Sequence, residues 1–154
     1  MGQPTDLTQP IIEGLYTEAL LLADEVRETF ALSDPPAAGS QAESMKLAFS
    51  VEGLRTTTRI MHVLAWLLNR RAYFNGELTE FQLRRHGQLP PDREPERENL
   101  ELLGPDIETL IERTRRIHHR LSRLDTAWRA EFEMEPSALD RLRARLEVNF
   151  AGRA

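Results

Sequence analysis

One stretch, Glu43 to Gly76, limits the folds open to this chain more than any other. Apolar or near-apolar residues recur along it at Leu47, Val51, Leu54, Thr58, Met61, Ala65, Leu68 and Ala72, alternately four and three apart. That is the period of one helix face. A helix from Ser44 to Asn75 would be roughly 48 Å long at about 1.5 Å per residue. No single short partner covers such a length, so the stretch predicts the spine of a helical bundle, with this stripe turned to the core.

The spine carries a second row. Arg55, Arg59, His62, Trp66, Asn69 and Tyr73 keep the same rhythm on a neighbouring face and combine aromatic bodies with polar tips. Such side chains are enriched at interfaces and also line ordinary cores. The row therefore reads either as a wet interaction face or as the edge of the core stripe.

Two further long stripes flank the spine. Pro10 can open a helix, and Ile12, Leu15, Ala19, Leu22, Val26 and Phe30 follow it on one face, with an end expected near Leu32. Ser33 to Ser40 is a proline-rich and glycine-bearing connector. Pro105 opens the third long helix, whose stripe is Ile107, Leu110, Thr114, Ile117, Leu121, Leu124 and Trp128. Between spine and third helix, Asn75-Gly76 terminates the spine and Thr79-Glu80-Phe81-Gln82 has the form of a capping box, predicting a short helix from Glu80 to His86. Gly87 to Asn99 is rich in proline and charge and reads as a mobile surface loop. A shorter amphipathic helix begins at Pro136-Ser137 and carries Leu139, Leu142, Leu146 and Phe150, a stripe that calls for docking within the chain or on a partner. The expected fold is all-α: an antiparallel three-helix bundle over residues 10–132, with a short helix after the second long one, and a C-terminal helical tail over residues 133–154.

Composition restricts function. With 154 residues, 40% hydrophobic and 29% charged, the chain suits one soluble globular domain. It has no run long and apolar enough for a membrane span, and its N-terminus has no basic-then-apolar leader, so a cytoplasmic location is expected. Without cysteine there is no disulfide, thiolate nucleophile or thiolate metal site. The four histidines form neither HExxH nor paired Glu-x-x-His motifs, and the adjacent His118 and His119 point about 100° apart on a helix. No GxSxG elbow or glycine-rich phosphate loop occurs. The expectation is a protein without catalytic residues, metal or cofactor, hence not an enzyme.

Arg113, Arg116, Arg120 and Arg123 form a basic row on the third helix. It could follow a phosphate backbone, which makes a small nucleic-acid-associated regulator the alternative function, or it could be a solvated back. Nineteen of the twenty basic residues are arginine and the net charge is −5, which favours the solvated reading.

Glu43-Ser44-Met45, Thr57-Thr58-Arg59-Ile60-Met61, Ala65-Trp66-Leu67-Leu68, Arg71-Ala72 and Gly76-Glu77-Leu78-Thr79 resemble the signature of the RcdA-like family, the alphaproteobacterial regulators of CtrA degradation. The resemblance covers roughly Leu15 to Trp128 in architecture and is most specific in the spine. It implies a dimeric three-helix bundle acting as a non-enzymatic adaptor, which helps deliver cell-cycle regulators such as the response regulator CtrA to the ClpXP protease at the cell pole, together with co-adaptors. It assigns no residue-level contacts. The residues expected on interaction faces, from their chemistry, are Arg55, Arg59, His62, Trp66 and Tyr73 on the spine and Arg113, Arg116, Arg120 and Arg123 on the third helix.

Overall fold

The computed structural model describes residues 5–134 and 138–152, all-helical without a strand among them. Helix α1 spans Thr5–Phe30, α2 Ala42–Phe74, α3 Glu80–His86, α4 Arg97–Leu103, α5 Pro105–Met134 and α6 Ala138–Ala151, with a 3-10 turn at Gly39–Gln41. The chain divides into two compact units, Met1–Ser122 and Arg123–Ala154.

In the first unit, α1 buries the expected stripe from Ile12 to Val26. Phe30, at its end, packs on Phe49 of α2 with ring centroids 5.1 Å apart. At the other end of the pair Arg71 of α2 reaches back to Glu13 (2.9 Å) and lies 4.2 Å over the Tyr16 ring. Residue numbers fall on one helix as they rise on the other, so α1 and α2 are antiparallel. Helix α2 stops at the expected place: Asn75 caps it and Gly76 takes φ 77°, a left-handed value that glycine adopts without a Cβ clash. The capping box of α3 is present, with the Thr79 hydroxyl accepting from the Gln82 amide (3.2 Å) and the Gln82 carboxamide oxygen accepting from the Thr79 amide (2.9 Å).

The segment expected as a mobile loop is instead a strap laid along α2. Gly87 meets Arg70, Asp92 and Arg93 meet Arg59, Glu96 and Asn99 meet Glu52, and Leu103 joins Ala48 and Phe49 in one apolar cluster. The strap thus climbs the whole spine in the direction opposite to α2 before Pro105 starts α5. Helix α4, which the charge-rich sequence hid, is the last turn of that climb. The consequence is topological. Arg113 and Arg120 of α5 meet Glu25 and Glu18 of α1, and Arg59 of α2 meets Thr114, so α5 runs antiparallel to α1 and parallel to α2. The expected alternation of directions fails because a strap of this length acts as a crossover. The stripe on α5 is buried at Leu110, Thr114, Ile117 and Leu121 as expected.

The largest correction concerns the spine. Of its expected core stripe, Leu47, Leu54, Met61 and Leu68 are 67, 70, 59 and 47% exposed, while Arg59 and Trp66 on the neighbouring row are each 2% exposed. Helix α2 has apolar residues on two faces. The one turned inward, Ala48, Phe49, Ile60, Val63 and Leu67, shares its edge with the polar row, whose long side chains reach the strap. Apolar spacing by itself selects the wrong face when the polar row is satisfied internally.

In the second unit, the α6 side chains of Leu142, Leu146, Val148 and Phe150 are exposed. The expected helix start at Pro136-Ser137 and the Leu139 side chain lie outside the described residues.

Candidate interaction surfaces

The polar row of α2 is an interface, and its occupant is the chain's own strap. Pro90, Pro91 and Pro95 leave the strap short of N–H donors but not of carbonyls, and buried carbonyls need donors. Side chains supply them. Arg59 donates from Nη2 to the Arg93 carbonyl (2.9 Å), from Nη1 to the Thr114 hydroxyl (3.0 Å) and from Nε to the Asp92 carboxylate (2.6 Å). Arg70 donates to the Gly87 carbonyl and stacks 4.0 Å over the Trp66 ring. His118 of α5 is buried and donates from Nε2 to the Pro90 carbonyl (3.0 Å). The buried carboxylate of Glu52 accepts from Arg55 (3.0 Å), from the Asn99 side chain (2.9 Å) and from the Glu96 amide (3.1 Å) at the start of α4. A lone buried charge would be costly, and each of these is paired or hydrogen-bonded.

This network decides what the expected site residues can do. Arg59 and Trp66 are interior, and Arg55 is half-buried between Glu52 and Glu96 (3.0 Å each). Tyr73 is half-buried, and desolvation, with the nearby Glu80 carboxylate adding to it, raises its phenol above the usual range. His62 is half-buried beside a cleft of about 160 Å³ between α2 and Pro91, Asp92 and Arg93. That is below the roughly 300–1,000 Å³ of small-molecule sites.

On α5 the basic row is half committed. Arg113 forms a two-pronged ion pair with Glu25, one contact at 3.0 Å, and this hydrogen bond holds the Glu25 carboxyl below its ordinary range. Arg120 pairs with Glu18 at 3.2 Å. Arg116 and Arg123 are exposed, the latter in the second unit.

The surface that sequence reasoning missed is the outer face of α2. From Leu47 to Leu68 its exposed residues are Leu47, Ser50, Leu54, Thr57, Thr58, Met61, Ala65 and Leu68, without a charge among them. The charged residues of that span, Glu52, Arg55 and Arg59, are all withdrawn from the outer face. In a chain that is 29% charged, this inverts the usual amphipathic helix. An uncharged face with large apolar side chains exposed at Leu47, Leu54, Met61 and Leu68 is the kind of surface that marks interaction sites.

A family profile described as Protein of unknown function (DUF1465) matches residues 4–150. The chain belongs to this family. No curated protein and no solved structure matches it. Among the described residues, no group of three or more His, Cys, Asp or Glu side chains is arranged to hold a metal ion, and no helix is long and apolar enough to cross a membrane.

Proposed function

We propose that this chain is a non-enzymatic regulatory adaptor of the RcdA kind, which helps deliver cell-cycle regulators such as CtrA to the ClpXP protease. In this reading α1, α2 and the first part of α5 form one three-helix scaffold, the protein works as a homodimer in the cytoplasm and at the cell pole, and its partners are protease components, a response regulator or a co-adaptor. The observation that carries the reading is the uncharged outer face of α2, supported by a second exposed apolar row on α6 at Leu142, Leu146 and Phe150. A face that joins two copies and a second row on each copy that can dock are what such a tether needs, because joining two weak contacts on one scaffold raises the effective concentration of the second partner without any chemical step. The alternative, a nucleic-acid regulator using Arg113, Arg116, Arg120 and Arg123, draws less support, because two of the four arginines are paired with carboxylates of α1.

Degradation of purified CtrA by ClpXP, with and without this protein and its co-adaptors, tests the proposal. Faster loss of CtrA with wild type, abolished by Leu142→Glu with Leu146→Glu, is expected. Degradation independent of the protein for CtrA and other candidate regulators contradicts the adaptor role.

A further inference from the structure

The outer face of α2 has a property that a general sticky surface would not need: it fits itself. Large residues recur every seventh position at Leu47, Leu54, Met61 and Leu68, and small or shorter ones at Thr58 and Ala65, which are exposed, and at Val51 and Ala72, which are half-buried at its edge. Reversing the row about a point midway between Thr58 and Met61 sets Thr58 against Met61, Leu54 against Ala65, Val51 against Leu68 and Leu47 against Ala72. Every large side chain then meets a smaller one. Large-against-small layers are how two helices interdigitate at close approach, and a two-fold axis presents the same patch to itself.

We propose that the outer face of α2 pairs with the same face of a second copy, antiparallel, about a two-fold axis between Thr58 and Met61. The inference deepens the dimer named in the functional reading above and rests on it only for the expectation of two copies. Three observations favour this occupant over a different protein. The four layers, each occurring twice by symmetry, extend over about 38 Å at about 1.5 Å per residue, the length of an ordinary helix-pair seam. The seam has no exposed charge from Leu47 to Leu68, and beside its end layer Lys46 and Arg71 are held by Glu43 (3.6 Å) and Glu13 (2.9 Å), so no complementary charge is wanted from elsewhere. The apolar patch also widens onto α1. Leu20, 43% exposed, lies four and seven residues beyond Tyr16 and Glu13, on the α1 side that touches Arg71 of α2.

Sedimentation equilibrium of the full chain, read beside cysteine cross-linking, tests the pairing. Wild type should sediment at twice 17.7 kDa. Leu54→Glu and Met61→Glu should each sediment as folded monomers, while Leu142→Glu with Leu146→Glu on α6 should leave the dimer intact. The natural chain has no cysteine, so single introduced thiols report the register. Copies bearing Leu54→Cys mixed with copies bearing Ala65→Cys should cross-link on mild oxidation, and neither should do so alone. A monomeric wild type, a dimer indifferent to Leu54→Glu and Met61→Glu, cross-linking of Leu54→Cys with itself, or loss of the dimer on changing α6 would each overturn the pairing. A dimer of the stated register without any effect on degradation would sink the adaptor reading alone, and a monomer that still speeds degradation would sink the pairing alone.

Discussion

Arginine has three different fates in this protein, and burial separates them. Arg59 is enclosed by a carboxylate, a hydroxyl and a carbonyl, so its removal takes the donor from the buried Thr114 hydroxyl and leaves the half-buried Asp92 to the more distant Arg115 at 3.9 Å. Arg113 makes as good a geometric pair with Glu25, but both side chains are nearly half exposed, at 45 and 46%. Water and salt screen it, and such pairs contribute only about 0.2–1 kcal/mol. Arg113→Ala should therefore cost less than about 1 kcal/mol of unfolding free energy at neutral pH. The sign of its pH dependence follows from Glu25, whose carboxyl is held below its unfolded value by the Arg113 hydrogen bond. The contribution is present above the unfolded carboxylate range and disappears as pH falls through the depressed folded value. Denaturant titrations of wild type and Arg113→Ala should converge on acidification, and a gap that widens instead would show that the pair is not the cause. Arg116 and Arg123 are the exposed remainder of the α5 row.

At the scale of elements, local signals worked where the chain answers to itself. The end of α2 at Asn75-Gly76, the capping box of α3 and the buried stripes of α1 and α5 all follow from residues within one or two turns. Thr79→Ala should cost about 1 kcal/mol, read as faster amide exchange confined to α3, since the hydroxyl is the acceptor for the Gln82 amide. The strap and the orientation of α2 were not legible because both depend on residues 17 to 55 positions away. Proline and charge normally signal a solvated loop, and only one local feature of Gly87 to Asn99 bears on the Arg59, Arg70 and His118 side chains that meet its carbonyls. The donor-poor, carbonyl-rich character of Pro90, Pro91 and Pro95 is the one signal that could have pointed to the buried arginine row. Gly87 gives the strap its closest approach. An added Cβ would stand 2.5 Å from the Leu83 carbonyl oxygen and 2.7 Å from the Arg70 guanidinium. Gly87→Ala should cost about 1–3 kcal/mol by overpacking and should raise exchange along the strap while sparing the α1 amides. Uniform acceleration across the first unit would contradict that local role.

At the scale of the whole molecule, the inward row and the outward row of α2 explain each other. The strap uses arginine, glutamate and histidine as internal partners, which leaves an uncharged face outside, and that face is available for association. The candidate surface was thus half legible: the two rows were visible in the spacing, but which one faced water was decided by a segment that reads as loop. The inversion is tested most directly by equilibrium unfolding of Leu54→Glu beside Arg59→Ala, at a protein concentration low enough that association contributes nothing. With Arg59 buried and Leu54 70% exposed, Arg59→Ala should lose about 1.5–3 kcal/mol, as for lost hydrogen bonds to a charged group, and Leu54→Glu should stay within about 0.5 kcal/mol of wild type. A greater loss for Leu54→Glu than for Arg59→Ala would mean that the apolar stripe faces the core after all, and the account of α2 would be wrong.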